Sequence, residues 1–251
     1  MAREIKNIPD GFLYGYGLFE TVKIENKKPL NLEKHFKRLS SSAKILNINM
    51  DLNDIQFKNL FLNEINLHIE NNYILRISVV KDNNSTKYFF NKRENVYDFK
   101  SYENGFKLKI SSIKRDRNST IIYHKTLNYM ENILEISKAK DNGYNEVLFF
   151  NQEGYLCEGA ISNIFLIKDK IVYTPNLKNG LLNGIMRNEV IEKLNNNNIE
   201  VRESDIDIKF LLNSDEVFIT NSIVGIMKVI QIENKKFSTK HVENLKKILS
   251  L

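Results

Sequence analysis

Residues 123–132 read YHKTLNYMEN. Lys125 stands beside His124 just ahead of a helical run, where an ordinary cap residue would suffice. It is either a solvated helix-start lysine or the amine on which the chemistry of the protein turns. Glu158 follows in CEGAISNIF, and a helix opens directly after Gly184 in LNGIMR. The first-turn N–H groups of Ile185 and Met186 lack acceptors within that helix and suit an anion. Arg76 in YILRISVV lies in a strand that otherwise reads as buried, and a buried charge wants an anionic partner, either a ligand or a structural carboxylate.

Other chemistries find less support. The single cysteine, Cys157, cannot form an internal disulfide or a cysteine-rich zinc cage, which agrees with a reducing compartment, and the four histidines (His35, His68, His124, His241) show no metal-ligand spacing. No metal is expected. The net charge of +6 invites a nucleic-acid partner, but the lysines are dispersed rather than gathered on one stripe, so a basic field that concentrates small anionic molecules is the better reading. No apolar run approaches the roughly 18 residues that span a bilayer, and MAREIKNIPD lacks the apolar core of a signal peptide. The expectation is a cytoplasmic protein, away from nucleic acid and membrane.

Positioning those residues requires a scaffold, and 251 residues that are 42% hydrophobic can bury a sizeable core. FETVKI reads as a strand, with a turn at Glu25-Asn26-Lys27 and a second short strand. From Asn31, a plausible N-cap, Leu32, His35, Phe36, Leu39, Ala43 and Leu46 recur at helical spacing and place Arg38 on that helix. Residues 51–72 form a second helical pattern. NNYILRISVVKD has the β-branched density of a buried strand, and KLKISSIK at 107–114 closes a first domain. The polar KRDRNST marks a linker. Beyond it, TLNYMENILEISKAKDNG predicts a helix with Leu127, Met130, Ile133 and Leu134 inside and Gly143 as its stop. Strands follow at EVLFF, YLCEG, SNIFLI and IVYTP, then the helix after Gly184, the strand IEVRES, a short helix, the strands EVFITNS and IMKVIQI, and a last helix from about Thr239 to Leu249. This pattern predicts an α+β (mixed α/β) protein with a small domain over 1–113, a linker over 114–122 and a larger domain over 123–251.

Taken together and in order, GYGLFETVKI, HFKRLSSSAKIL, KTLNYMEN, CEGAISNIF, LNGIMR and TNSIVGIMKV resemble the class IV pyridoxal-phosphate enzymes along nearly the whole chain. The resemblance implies that family's two-domain fold, pyridoxal 5'-phosphate as cofactor, and a homodimer with its active site at the domain junction near the partner subunit. It implies that Lys125 is the cofactor-linked amine and later the general acid/base. Glu158 matches the carboxylate on the pyridine nitrogen. Arg38 matches the phosphate-binding arginine, whose planar fork suits phosphate oxygens. Ile185, Met186, Ser222 and Ile223 match the remaining phosphate contacts, and Tyr129, one helical turn from Lys125, is a candidate for the ring hydroxyl. Phe19 and Thr21 match positions that line the substrate pocket, and Arg76 loosely matches a carboxylate-binding arginine of the branched-chain branch. Tyr14 is either a pocket or a core residue.

Among the branches, KTLNY, LNGIMR and TNSIVGIMKV are most similar to the aminodeoxychorismate lyases. The Pro-Gly-Ile-Thr helix start common in transaminases is missing, and NNSTKYFF lacks the Arg-x-His pair usual in D-amino-acid transaminases. The implied reaction turns 4-amino-4-deoxychorismate, a small anion bearing an amino group, into 4-aminobenzoate and pyruvate. The alternative is an aminotransferase acting on branched-chain or D-amino acids with 2-oxoglutarate.

Overall fold

The computed structural model describes residues 8–83 and 85–250. Most of MAREIKNIPD, read above as lacking a signal core, lies outside the described residues. The chain divides into two compact units, one formed by residues up to Val96 together with His124–Tyr129, the other by Tyr97–Tyr123 together with the chain from Met130 onward. No helix of the described residues is long and apolar enough to cross a membrane.

The first unit carries α1 (Asp10–Tyr14), β1 (Gly17–Glu25), β2 (Lys28–Pro29), α2 (Leu32–Ile45), α3 (Asp54–Asn66), β3 (Tyr73–Asp82) and β4 (Ser85–Arg93). Its four-stranded sheet runs in the order β2-β1-β3-β4. The turn between β1 and β2 falls where expected, with Asn26 and Lys27 at φ 50° and 59°, the positive values a tight hairpin demands. Alternation along β1 sends Leu18, Val22 and Ile24 to one face, where they pack with Leu75, Ile77 and Val79 of β3 under Leu39, Phe57 and Phe61 of the helices. Each fully buried phenylalanine there contributes about 2 kcal/mol. The opposite face receives Phe19 and Thr21. The antiparallel register sets Phe19 against Ser78 and Thr21 against Arg76. α3 starts in a capping box, the Gln56 N–H donating to Asn53 Oδ1 at 3.0 Å and the Asn53 N–H to Gln56 Oε1 at 2.9 Å.

Residues 124–129 return to this unit as a strap along β1. The Phe19 N–H donates to Lys125 O at 2.9 Å and the Leu127 N–H to Gly17 O at 3.0 Å, bracketing a bridge between Leu18 and Thr126. Glycine at 17 is what lets the strap approach. A Cβ there would stand 2.6 Å from both the Val79 carbonyl oxygen and Leu127 Cδ1.

The second unit carries α4 (Phe99–Asn104), β5 (Phe106–Arg115), α5 (Met130–Asp141), β6 (Glu146–Asn151), β7 (Leu156–Gly159), β8 (Asn163–Lys168), β9 (Ile171–Pro175), α6 (Ile185–Asn196), β10 (Val201–Ser204), α7 (Ile208–Leu212), β11 (Glu216–Asn221), β12 (Gly225–Ile232), β13 (Lys235–Lys236) and α8 (Lys240–Leu249). They build a nine-stranded mixed sheet in the order β10-β9-β8-β11-β12-β5-β6-β7, with β13 on β12. Its core gathers Leu108, Leu148, Ile164, Leu166, Val217 and Met227.

Three sequence expectations are corrected. The division falls after Val96 instead of at 114–122, because β5, expected to close the first domain, pairs in parallel with β6 and β12 of the second sheet. Parallel partners come from distant sequence, so adjacency along the chain misassigns such a strand. α5 starts at Met130 instead of near Thr126, since the Leu127 N–H is spent on Gly17. The helix also faces the other way: Met130, Ile133 and Leu134 are exposed, while Asn132, Glu135, Ile136 and Ala139 are buried. Gly143 does stop it, at φ 77°.

The strap yields a test. Replacing Gly17 with alanine forces a Cβ into the β3 backbone and the strap, and should cost about 1–3 kcal/mol in urea unfolding. A cost near zero would mean that residues 124–129 do not press on β1.

Candidate functional site

In the first unit, one aromatic ring organises the predicted residues. Phe19 is buried, meets Tyr129 edge-on at 5.1 Å, and lies under both the Lys125 Nζ, 4.2 Å from its centroid, and the Arg76 guanidinium, at 3.7 Å. Aromatic faces attract cations, so the ring is a contact shared by both groups. Tyr129 reaches Lys125, its ring centroid 5.4 Å from Nζ, through the extended strap and not through the helical turn expected from sequence. Thr21 stands directly opposite Arg76 in the ladder. Arg76 is half-buried and no carboxylate of the described residues forms an ion pair with it. Burial lowers its pKa; Tyr129 opposes that and the Arg93 charge reinforces it. This is a cation short of an anion. Tyr14, open between pocket and core, is largely exposed on α1.

Arg38, on the inner turn of α2, is embedded in a charge cluster and not on the helix's polar side. Its Nε and Nη2 donate to the two oxygens of Glu20 at 2.8 and 2.6 Å, and His35 Nδ1 lies 2.7 Å from Glu20 Oε2. Glu20 and His35 are both fully buried. Burial alone would push the Glu20 carboxyl up, but the Arg38 and His35 charges and hydrogen bonds outweigh it and hold the pKa far below the usual carboxylate range. His124, next to the lysine, places Nδ1 3.0 Å from Ser42 Oγ of α2, and burial lowers its pKa.

In the second unit a separate set converges on Asn163. Glu158, at the end of β7, accepts from the Leu182 N–H at 3.1 Å and from Asn163 Nδ2 at 3.4 Å, and the same amide donates to Leu182 O at 2.9 Å. Gly184, the residue before α6, lies so close that a Cβ would be 1.9 Å from Asn163 Oδ1. Without a capping side chain at 184, Ile185 and Met186 offer their backbone N–H groups at the helix start. Across the β8–β11 ladder Asn163 faces Thr220, whose buried hydroxyl has no hydrogen-bond partner among the described residues. The following turn is fixed by Asn221 Oδ1, which accepts from the Ile223 and Val224 N–H groups at 2.9 Å each. The Ile223 amide is therefore spent. The Ser222 hydroxyl remains at the turn. Cys157, beside Glu158, is no nucleophile: burial, aided by the Glu158 charge, pushes its thiol up to about 12.

Residues 17–232 match the family model described as amino-transferase class IV. The chain belongs to the class IV aminotransferase family. It is 27% identical over 93% of its length, and 83% of the relative's, to the aminodeoxychorismate lyase of Bacillus subtilis. To a probable branched-chain-amino-acid aminotransferase of Aquifex aeolicus it is 30% identical, covering 98% of this chain and 85% of that one. A crystal structure of a candidate 4-amino-4-deoxychorismate lyase from Legionella pneumophila superposes with a TM-score of 0.91 at 25% identity, covering 100% of this chain and 97% of the other. The α+β (mixed α/β) fold expected from sequence, built here on two sheets, is that of the class IV enzymes.

Several residues went unnoticed in the sequence. Asn163 lies within the quoted CEGAISNIF, yet nothing marked its amide as the hub between Glu158 and Gly184. Glu20 shares the apolar phase of Leu18, Val22 and Ile24, so a carboxylate in that row was the available signal, and its burial beside His35 and Arg38 explains it.

The Glu20 cluster makes stability depend on acid. A carboxyl whose folded pKa is depressed stabilises fully above its unfolded value, about 4.3, and loses that contribution as pH falls toward the folded value. Glu20→Gln cannot titrate. Its deficit against the wild type in urea unfolding should be largest at pH 7 and shrink by pH 3.5; an unchanging deficit would show that the Glu20 charge adds nothing.

Proposed function

We propose that this class IV enzyme is a pyridoxal 5'-phosphate-dependent lyase that converts 4-amino-4-deoxychorismate to 4-aminobenzoate and pyruvate. The observation that carries the reading is Arg76, half-buried on the same Phe19 ring that Lys125 contacts and without a carboxylate partner among the described residues. An anionic substrate group set against that guanidinium would compensate a charge whose desolvation is otherwise unmet. A dicarboxylate substrate supplies the missing anion.

The residues present fit the cofactor that the family uses. Buried Glu158 is an acceptor suited to a protonated ring nitrogen, the uncapped start of α6 and the Ser222 hydroxyl suit a phosphate, and the buried Thr220 hydroxyl still lacks a partner. When bound, the cofactor draws electrons away from the amine-bearing carbon of the substrate. Lys125 would hold the cofactor through its amine and would serve as the base for the proton on the substrate's amine-bearing carbon. Glu158 would keep the ring nitrogen protonated. Arg38, Ile185, Met186 and Ser222 would hold the phosphate, and Ile223 would contribute shape, its N–H being bonded to Asn221. Tyr129 stands ready for the ring hydroxyl. Phe19 and Thr21 wall the substrate while Arg76 takes a carboxylate. Removal of that proton and cleavage of the carbon–oxygen bond to the enolpyruvyl group would make the substrate ring aromatic, and the group would leave as the enolate and take up a proton at its methylene carbon to give pyruvate.

Purified holoprotein given 4-amino-4-deoxychorismate should produce 4-aminobenzoate, read by chromatography. Lys125→Ala should reduce the rate by at least about 1,000-fold, and Arg76→Ala should raise KM about 10–100-fold, the worth of a hydrogen bond to a charged group, with the cofactor's absorbance unchanged. The second reading is an aminotransferase, favoured by the 30% identity to the Aquifex protein. Conversion of a branched-chain or D-amino acid to its keto acid, with no 4-aminobenzoate from the first substrate, would replace the lyase by that reading.

We also infer a homodimer. Phe12, Leu13 and Tyr14 on α1, and Met130, Ile133 and Leu134 on α5, are large apolar side chains left exposed. Light scattering should give twice the chain mass of 29.4 kDa; a monomer at micromolar concentration would refute it.

A further inference from the structure

We propose that Glu20 and His35 are positioning residues for Arg38, fixing the plane and rotamer in which its guanidinium meets the cofactor phosphate. The inference rests on the reading of Arg38 as a phosphate ligand and adds residues that neither touch the cofactor nor belong to the set named above.

The geometry is that of a clamp. Arg38 gives its Nε and Nη2 edge to both oxygens of one carboxylate, at 2.8 and 2.6 Å, a paired contact that defines the plane of the guanidinium as well as its distance. The carboxylate is itself immobilised. Glu20 is fully buried in β1, and His35, one helical turn before Arg38 on α2, places Nδ1 2.7 Å from Glu20 Oε2. A long flexible side chain thereby becomes a fixed fork, with one edge consumed by Glu20 and its orientation dictated by β1.

Two features argue against simple core filling. Burying a carboxylate is costly, and an apolar residue at position 20 could join the surrounding core with no such cost, yet the fold keeps a charge there and matches it with two partners. The anchor is also the strand that receives the lysine strap: residue 19 bonds to Lys125 O while residue 20 holds Arg38. One strand thus sets the place of the amine and the angle of the arginine.

The test measures binding and not turnover. Apoprotein variants are titrated with pyridoxal 5'-phosphate and with pyridoxal, which lacks the phosphate, following absorbance of the bound chromophore; circular dichroism and a thermal midpoint report the fold. Arg38→Ala should weaken the phosphorylated ligand by about 10–100-fold, the loss expected for contacts to a charged group, and pyridoxal far less. Glu20→Gln and His35→Leu should produce the same selective loss, about 10-fold or more, while His35→Asn, which restores a donor near the Nδ1 position, should recover most of it. An equal fall for both ligands in Glu20→Gln and His35→Leu, or no fall in either, overturns the positioning role. An unchanged ratio of the two affinities in Arg38→Ala instead removes Arg38 as the phosphate ligand, a separate failure read from a separate variant. If Glu20→Gln does not fold, the His35→Leu and His35→Asn pair decides the matter alone.

Discussion

Two backbone hydrogen bonds carry more than their number suggests. The Phe19 N–H to Lys125 O and the Leu127 N–H to Gly17 O tie a segment that lies more than a hundred positions along the chain to the first long strand. A lysine at the head of a free helix would sample many positions. One paired to a strand is confined by the strand's own register, and here that strand is locked to β3 over eight successive residue pairs, from Gly17–Val80 to Ile24–Tyr73. Such pairing costs chain entropy, since residues 97–123 must be looped out into another unit before the strap returns. The paired backbone and the burial of Thr126 against β1 offset that cost.

The same strand shows how a two-residue period divides labour. Its even positions, Leu18, Glu20, Val22 and Ile24, face the helices, and three of them are plain core. Glu20 interrupts that apolar row, and its charge persists there because α2 brings His35 and Arg38 over it, three residues apart and hence on one helix face. The odd positions, Phe19 and Thr21, meet the strap and Arg76. A shift of register by one residue would exchange the two faces, and with them the buried carboxylate and the cation-bearing ring.

How much of this was legible follows from the range of each interaction. α2, β1, β3 and the turn at Asn26-Lys27 were readable because their signals are local: helical spacing, β-branched density and a left-handed turn. β4 escaped because STKYFFNKR mixes polar and aromatic residues as an edge strand does, without a buried run. β5 is legible as a strand, but its unit is not, since its parallel neighbours lie far along the chain. The face of α5 was inverted for a related reason. Met130, Ile133 and Leu134 form a good apolar stripe, and periodicity reports that a stripe exists without reporting what covers it. Among the candidate residues, types and order were legible; the clamp on Arg38 and the amide of Asn163 were not, because each depends on side chains brought together from separate elements.

The turn after Glu158 shows what such distant contacts accomplish. Glu146, fully buried on β6, accepts from the N–H groups of Val147, Ala160 and Ile161 at 2.9, 3.1 and 3.2 Å and from the Ser162 hydroxyl at 2.9 Å. Burial pushes its carboxyl up, and those donors pull it partly back, so the net pKa stays raised. Gly159 admits the carboxyl at close range: a Cβ there would lie 3.1 Å from it and 2.4 Å from Ser162 Oγ. The turn bearing Glu158 at one end and Asn163 at the other is therefore wrapped around an acid supplied by a neighbouring strand. Removing that acid would strand several buried donors at once, each worth about 1–3 kcal/mol when unsatisfied. A surface loop could carry the same two residues with far less internal constraint. What the buried acid adds is a fixed separation between Glu158, which accepts, and Asn163, whose amide bridges Glu158 to the segment that starts α6.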